Sequence, residues 1–290
     1  MDLEELNTFL EVIKTGSLVA ASRHLHVTPS TVTARISTLE SRLGRQLLHR
    51  SKSGATLTSA GFKLQRYAEL ITQVWRQAHY DVALPPGVEG VCNAGLEFDL
   101  WHDVGSRFLD HVRAHAPGIA TAIWPGEQRQ LQRWLDIGLI DIAFCYVAQA
   151  GEEYTSRLLL EDELILVSAR VGHTAALDEA YIYVDHGDEF RRQHAEAFPE
   201  ARPSPVTIAA SDWALEYVMR TGSKGYLPAR IVGPLIASGR LQRVDAAPSF
   251  VRRVYLIESA RTTRSWAWYE AAVAASAPAG DADVTTEFMT

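Results

Sequence analysis

The stretch SLVAASRHLHVTPSTVTARISTLESR, residues 17–42, decides the fold of the N-terminal part of the chain. It predicts two short helices joined by a tight turn. Ser17 is a good N-cap for the first helix. Thr28 followed by Pro29 is a strong start for the second, because proline at the first helical position gives up no helical hydrogen bond. The buried stripe of the second helix then follows a helical spacing: Val32, Ile36, Leu39 and Leu43.

The opposite face of this second helix is small, polar and free of acidic residues. At about 100° per residue it carries Ser30, Thr33, Ala34, Ser37, Thr38 and Ser41, with Arg35 and Arg42 on one flank. Such a face can lie close to a polyanion, and the major groove of duplex DNA is the natural partner for a helix. The alternative is an ordinary solvated face, although exposed helices more often carry Glu and Lys.

Length and composition indicate a soluble globular protein of two or three units. The chain has 290 residues, of which 47% are hydrophobic and 22% charged. No run approaches the roughly 20 apolar residues that a membrane helix needs, and the acidic start MDLEELNTF is no signal peptide. Cys92 and Cys145 lie in apolar segments without paired spacing. We therefore expect buried thiols, a cytoplasmic protein, no metal site and no membrane partner.

Charge is distributed unevenly along the chain. The net charge is −7, yet residues 16–76 carry nine Lys/Arg against only Glu40 and Glu69, a local balance of +7. The remainder must therefore carry −14. A polyanion is attracted to the first part and repelled by the second. This segregation favours a DNA-binding module joined to an unrelated acidic domain.

A helix before the quoted stretch and a hairpin after it complete the predicted module. Residues 3–15 form a first helix that packs under the other two, giving a three-helix core. Residues 46–50 and 55–58 are strand-like and flank a Gly-containing turn, which indicates a hairpin. Its tip carries Arg50 and Lys52, so it can be a wing that touches the phosphate backbone or the minor groove. A solvated basic tip is the alternative.

A long helix follows the hairpin. Thr58 can cap it, and it runs from Ser59 to about Val82. Its apolar positions alternate spacings of three and four residues, the repeat of a two-helix seam: Leu64, Tyr67, Ile71, Val74 and Ala78. An isolated helix of this length needs a partner, and a second copy is the simplest one. The Leu-Pro-Pro-Gly sequence at 84–87 then ends the helix and marks a hinge.

From Val88 the pattern changes to strands that alternate with helices. The predicted elements include a helix from about Asp99 to His115, a short strand at Leu164–Ser168 and a closing helix at Thr263–Ala274. Repeated alternation predicts mostly parallel sheets with helices on both faces. About 190 residues of this kind divide naturally into two lobes with a ligand between them.

Together these segments resemble the LysR-type transcriptional regulators along nearly the whole chain. The most specific part runs from MDLEELNTFLEV to Leu57-Thr58-x-Ala60-Gly61; Gly138–Ala143 and Gly222–Pro228 are also similar. The resemblance implies an α/β multidomain protein with an N-terminal winged helix-turn-helix, a long linker helix and a C-terminal two-lobed, periplasmic-binding-protein-like α/β effector domain. It also implies a dimer to tetramer (a dimer of dimers) that bends DNA at an inverted repeat.

We divide the chain on this basis into residues 1–58 for DNA binding, 59–87 for dimerisation and hinge, and 88–290 for effector binding. Lobe I takes about 88–164 plus 250–276, and lobe II about 165–249. The partners implied are double-stranded DNA and a small-molecule co-inducer, with RNA polymerase as a further candidate. No cofactor is expected.

The resemblance places the DNA-binding residues on the second helix of the motif and on the wing. Where the family commonly has Gln and Arg, this chain has Pro29 and Ala34, and the Arg is displaced to Arg35. We expect Thr28 and Thr33 on phosphates. We expect Ser30, Thr31 and Ser37 to lie near base edges. Arg50 and Lys52 are expected to make the DNA contacts of the wing. Short hydroxyls discriminate bases poorly, so DNA shape is expected to supply much of the specificity.

In the resembling family the co-inducer often meets a Ser or Thr after the first strand of lobe I. Here that position reads Leu96-Glu97-Phe98-Asp99, and two acids there repel an anionic effector. We therefore expect a neutral or cationic ligand, or none; alternatively, one of these acids simply caps the following helix. The same cleft is expected to contain Gly126, Glu127, Gln128, Ser211 and Asp212. Three tryptophans either line its walls or belong to the core: Trp101, Trp124 and Trp213.

A different class of protein fits less well. The histidines are scattered singly, and no nucleophile elbow, phosphate-binding Gly-rich loop or His-Glu-x-x-His motif is present. We therefore expect no catalytic residues and no enzyme activity. The alternative is a solute-binding protein or small-molecule enzyme without DNA binding. The basic N-terminal module and the missing signal peptide count against it.

Overall fold

A computed structural model describes residues 2–51, 54–149, 151, 154–259 and 266–277. The chain forms two compact units, Met1–Pro86 and Gly87–Thr290. The division between them falls within the Leu-Pro-Pro-Gly sequence expected to be a hinge. The bounds of the three predicted domains stay a prediction.

Three helices form the core of the first unit. They are α1 (Leu3–Thr15), α2 (Leu18–His24) and α3 (Pro29–Leu43). The predicted caps are present: Ser17 accepts a hydrogen bond from the Ala20 N–H at 3.3 Å, and Thr28 accepts one from the Thr31 N–H at 3.2 Å. The apolar stripes of the helices meet in one buried cluster that includes Leu6, Phe9, Val12, Ala21, Val32, Ile36 and Leu39.

A hairpin and a long helix complete this unit. Strands β1 (Leu48–Ser51) and β2 (Gly54–Leu57) pair antiparallel, and α4 runs over Ser59–Val82 as predicted. The Thr58 hydroxyl accepts from the Gly61 N–H at 3.0 Å and donates to the Gln46 carbonyl at 2.8 Å, which fixes α4 against the hairpin. Gly61 is required here, because a Cβ would collide with the carbonyl oxygen of Leu47. Lys52, predicted to lie at the hairpin tip, is outside the described residues.

The second unit is built on a mixed sheet. Its strands are β3 (Gly90–Leu96), β4 (Ile119–Pro125), β5 (Ile142–Cys145), β6 (Tyr154–Ser168), β9 (Lys224–Pro228), β10 (Gln242–Arg243) and β11 (Phe250–Ser259). In the described part of the chain the order is β10-β6-β11-β5-β3-β4, with β9 also paired to β6. A separate parallel pair consists of β7 (Tyr183–Val184) and β8 (Thr207–Ile208).

The expectation of mostly parallel sheets is wrong. Only β4–β3, β3–β5 and β7–β8 are parallel in the described residues, whereas β6 and β11 pair antiparallel with each other and with their other neighbours. The sequence predicted only Leu164–Ser168 of β6. The strand begins at Tyr154, and its acidic stretch Glu161–Glu163 conceals the alternation, since Asp162 points inward between Leu160 and Leu164.

Helices cover the sheet and separate the apolar core into two lobes. They are α5 (Ser106–His115), α6 (Gln128–Asp136), α7 (Asp188–Ala197), α8 (Ser211–Thr221), α9 (Ala229–Ala237) and α10 (Tyr269–Ser276). The core of lobe I lies around Phe108 and Phe144 with a second cluster around Trp134. The core of lobe II lies around Val218 and Tyr226. Part of the predicted closing helix, residues 263–265, lies outside the described residues.

The predicted helix Asp99–His115 is also corrected. Two irregular helical turns, Phe98–Leu100 and Trp101–Gly105, precede α5, which begins only at Ser106. The break occurs at Asp103, whose φ of 67° is unusual for a residue other than glycine. The carbonyls of Asp99 and His102 are held instead by the side chain of Arg230, at 2.6 Å each. Among the described residues no helix is long and apolar enough to cross a membrane.

Candidate nucleic-acid interface and effector cleft

Three hydroxyl groups meet at the N-terminus of α3. The Thr28 hydroxyl lies 2.7 Å from the Ser30 hydroxyl and 2.8 Å from the Thr31 hydroxyl, and it also caps the Thr31 N–H. Thr28, Pro29 and Ser30 are exposed. The first turn of a helix directs free N–H groups and partial positive charge outward, which suits a phosphate oxygen. Pro29 has no N–H and the Thr31 N–H is bonded to Thr28, so this end of α3 offers the Ser30 N–H and the three hydroxyls as candidate donors to an anion.

The next turns of α3 keep the same character. Thr33, Ala34 and Ser37 are exposed, whereas Val32 and Ile36 are fully buried. The Thr33 hydroxyl donates to the Pro29 carbonyl at 3.0 Å, so it has an acceptor within the helix. This face bears no carboxylate, as the sequence predicts.

Arginines of the predicted interface are engaged within the unit. Arg35 forms an ion pair with Glu4 of α1 and donates to Thr8 at 3.4 Å. Arg50 donates to Glu40 at 3.1 Å. Both guanidinium groups therefore already have carboxylate partners.

Two other arginines were missed by the sequence reasoning. Arg23 on α2 and Arg45 after α3 are exposed and have no side-chain partner among the described residues. The available signal was that no acidic residue lies within four positions of either one in the sequence. Their free charge makes them better candidates for phosphate contact than Arg35 or Arg50.

The predicted dimer seam on α4 is divided between two environments. Leu64 and Ile71 are half-buried and pack against the apolar core of their own unit. Tyr67, Val74 and Ala78 are exposed, and Trp75 and Val82 extend the same side of the helix. The uncovered part of the seam therefore consists of Tyr67, Val74 and Ala78, and Leu64 and Ile71 are engaged within the unit.

Asp99 links the two lobes of the second unit. Its carboxylate accepts the Ser211 N–H at 2.9 Å and the Ser211 hydroxyl at 2.6 Å, at the start of α8 in lobe II. The expectation that Glu97 or Asp99 caps the following helix is wrong, because Glu97 accepts the Tyr146 N–H at 2.9 Å instead. Burial alone raises the pKa of Asp99, but Arg252 and the Ser211 hydrogen bonds outweigh it and the pKa lies below its ordinary value.

Charged groups surround this link. Arg252 on β11 lies 3.5 Å from Asp99 and 3.5 Å from Asp162, and its guanidinium stacks 3.4 Å from the centre of the Tyr146 ring. Arg230 on α9 lies 3.2 Å from Asp162. Burial raises the pKa of Glu97, although the Tyr146 N–H and Arg252 act in the opposite direction.

Beside the link lies a pocket of about 540 Å³. Its lining includes Leu96, Phe98, Trp101, Trp213 and Ile123, together with the carboxylates of Asp99, Glu127 and Asp212. Within the described residues no Lys or Arg lines it. The surface is therefore apolar, aromatic and acidic.

The other predicted cleft residues lie around this pocket rather than in its lining. Ser211 is fully buried and bound to Asp99, and Glu97 is directed toward Tyr146. Gly126 is buried and donates to the Leu96 carbonyl at 3.1 Å, while Gln128 begins α6. Trp124 packs on Trp134 in the lobe I core, so it is the tryptophan of the three that lies away from the pocket.

Comparison with known protein families connects both units to one class of protein. Residues 3–62 match the model of the bacterial regulatory helix-turn-helix proteins of the LysR family, and residues 100–268 match the LysR substrate binding domain. The second match alone covers more than half of the chain.

The chain belongs to the LysR family of transcriptional regulators.

Similar proteins cover this LysR-type regulator almost from end to end. The HTH-type transcriptional regulator HdfR of Shigella boydii is 27% identical over 261 residues, which is 89% of this chain and 91% of that protein. HdfR of Salmonella schwarzengrund is also 27% identical, over 92% of its length. The crystal structure of full-length CbnR in complex with its target DNA has a TM-score of 0.72 at 18% identity, covering 96% of this chain and 100% of that one.

A further structure shares the fold less closely. Full-length LysG of Corynebacterium glutamicum with bound effector Arg has a TM-score of 0.51 at 18% identity, covering 95% of this chain and 98% of that one. The predicted fold class and the regulator function are confirmed, and the alternative of a solute-binding protein or enzyme without DNA binding is not. In the described residues no cluster of three or more His, Cys, Asp or Glu could hold a metal ion. Cys92 and Cys145 are free and buried, as expected.

Proposed function

We propose that this LysR-type regulator holds duplex DNA by the N-terminal end of α3, with the hydroxyls of Thr28, Ser30 and Thr31 against the phosphate backbone and base edges. The observation that carries the proposal is their convergence at a capped helix N-terminus on an exposed face without acids. A short polar surface of this kind permits close approach of the backbone. The hairpin acts as the wing, and the free guanidinium groups of Arg23 and Arg45 supplement it.

The proposal is tested by placing a carboxylate at the centre of this surface. Ser30→Glu is expected to weaken binding to the regulator's own promoter fragment at least about a hundredfold in a gel-shift titration, because like charges at an interface cost several kcal/mol. Gln73→Glu on α4 adds the same charge to the same unit and is expected to leave affinity within about threefold. Ser30→Glu binding that matches the wild type would refute the assignment.

We further propose that the active form is a dimer through the uncovered part of the α4 seam and that two dimers join on DNA. The apolar side chains of Tyr67, Val74, Trp75 and Val82 support this, since large exposed apolar groups on one helix side favour association. RNA polymerase is the expected partner at the promoter. Because its proposed target is DNA, we propose that the protein is located in the cytoplasm.

The effector is proposed to be an uncharged or cationic small molecule in the pocket beside Asp99. Aromatic faces at Phe98, Trp101 and Trp213 attract cations, and the carboxylate of Glu127 adds the complementary charge. The related fold of LysG, a structure with bound effector Arg, supports a cleft of this architecture accepting a basic ligand. A small carboxylate finds no free basic side chain in this lining.

A further inference from the structure

Helix α8 lacks a cap of its own. Ala210 occupies the N-cap position and offers no side-chain acceptor, although α8 has eleven residues. The Asp99 carboxylate of lobe I takes this role from 112 residues away, accepting both the N–H and the hydroxyl of Ser211. A carboxylate at a helix N-terminus is favoured by the helix dipole and by charge-assisted hydrogen bonds.

Two further side chains lie close to the same carboxylate. Arg252 lies 3.5 Å from Oδ2 of Asp99, and Nδ1 of His186 lies 3.9 Å from the same oxygen. The His186 side chain is fully buried, its Nε2 donates to the Tyr226 carbonyl at 2.9 Å, and its Nδ1 has no hydrogen-bond partner among the described residues. Burial lowers the pKa of His186 to about 3, so the ring is neutral and its one N–H is the Nε2–H given to the Tyr226 carbonyl. Its Nδ1 is therefore an acceptor that lies beside the Asp99 carboxylate without donating to it.

Three donors converge on the Asp99 carboxylate from two places in the fold. The N–H and the hydroxyl come from α8, and the guanidinium comes from β11. None of these donors belongs to the turn Phe98–Leu100, which carries Asp99. The arrangement has the donors expected of a receptor for a small carboxylate, with Asp99 in the place of the ligand.

We propose that the cleft contains a carboxylate-binding site whose resident ligand is the side chain of Asp99. This inference rests on the proposed function, in which the cleft holds the effector. It follows that no anionic effector can use these donors in the wild-type protein, and that the lobes are held together without any bound molecule. The effector is then confined to the aromatic pocket, where an uncharged or cationic ligand fits.

The test removes the resident ligand and offers a free one. Asp99→Ala leaves a space of about one carboxylate, and sodium formate is the probe. Formate at 100 mM is expected to raise the thermal unfolding midpoint of full-length Asp99→Ala by about 3 °C or more relative to sodium chloride of equal ionic strength. Wild type is expected to shift by less than about 1 °C. Calorimetry should give saturable formate binding to the variant only.

Two control variants make the result specific. Asp212, next to Ser211, has an exposed carboxylate that lies 2.9 Å from His102. Asp212→Ala removes this carboxylate and is expected to bind no formate. Asp99→Asn keeps the space filled with an uncharged amide and is also expected to bind none. Formate binding to wild type as strong as to Asp99→Ala would overturn the proposal, and so would a folded Asp99→Ala that ignores formate.

Failure to fold is covered by a second measurement. If Asp99→Ala is insoluble, refolding yield against formate concentration replaces the melting curve; a yield that rises with formate and not with chloride supports the site, and an equal yield in both salts overturns it. The outcome is separable from the proposed function, because DNA binding is measured by gel shift on the same proteins. A wild type that binds no promoter DNA refutes the function and leaves the formate result standing.

Discussion

Ion pairing separates the arginines of the DNA-binding unit into two groups. Arg35, Arg42 and Arg50 are paired with Glu4, Glu5 and Glu40. Arg23 and Arg45 have no such partner among the described residues. The acidic residues of α1 lie outside residues 16–76, the segment with a local charge of +7. They neutralise part of the positive charge that was expected to attract DNA. Residues 1–86 contain ten Lys/Arg and seven Asp/Glu, a net charge of only +3.

This difference predicts unequal effects on the salt dependence of DNA binding. Arg45→Gln is expected to reduce the slope of log affinity against log salt concentration by about 0.9, the value for one lost phosphate contact. Arg35→Gln is expected to leave the slope unchanged and to lower stability by at most about 1 kcal/mol, because its partner is Glu4. Gel-shift titrations between 50 and 200 mM salt measure the slopes. Equal slopes for the two variants would contradict the division.

Helix α4 shows what a periodic pattern can and cannot reveal. Its bounds follow from local signals, namely the Thr58 cap and the Pro-Pro pair after its end, and the structure confirms them. The apolar spacing predicts one seam, but Leu64 and Ile71 pack on the helix's own unit, whereas Tyr67, Val74 and Ala78 are uncovered. An apolar repeat in the sequence predicts that a helix face packs on something, but it does not show whether the helix's own unit or a second copy provides the contact.

Association through α4 is therefore best tested at Val74 rather than Ile71. Val74→Glu is expected to shift the protein from dimer to monomer in sedimentation velocity at micromolar concentration, because burying an unpaired carboxylate in an apolar seam costs several kcal/mol. Ile71 also packs in the unit's own core, so a charge there would confound folding with association. Gln73→Glu, on the other side of the helix from Ile71, should remain dimeric. A dimeric Val74→Glu would place the interface elsewhere.

At the scale of the whole effector unit, the contacts that hold the lobes together join residues far apart in sequence. Ser211 binds Asp99, and Arg230 binds two carbonyls of lobe I. The family resemblance implies that Asp99 and Ser211 face the same cleft, but it predicts neither these hydrogen bonds nor a role for Arg230. Helix caps, the helix-turn-helix, the hairpin and most strands could be predicted because their signals lie within a few positions. The Asp99 link could not, because it depends on where a tertiary fold brings two distant loops.

The link also predicts a pH dependence of stability. The pKa of Asp99 lies below the ordinary 3.8 in the folded protein, so its contribution is complete above that value and is lost as the pH falls through the folded pKa. At pH 7, Asp99→Asn is expected to be less stable by about 2 kcal/mol, a fall of about 5 °C in unfolding midpoint. The difference should shrink as the pH is lowered below about 4. A difference that stays constant from pH 7 to 3 would show that the ionised carboxylate adds nothing.

Strands β6 and β11 run side by side from Tyr154 and Ser259 in lobe I to Leu164 and Phe250, which pack with Tyr226 in the core of lobe II. Their register slips once, between Val254 and Tyr255. Two long hydrogen-bonded strands resist hinge bending more than torsion, and a bulge disrupts the ladder locally and increases its twist. A molecule that enters the pocket would therefore rotate one lobe relative to the other about the long axis of the β6–β11 pair, rather than change the cleft by a hinge motion. Ligand binding would then be communicated within the effector unit as a change in the twist angle between the two lobes.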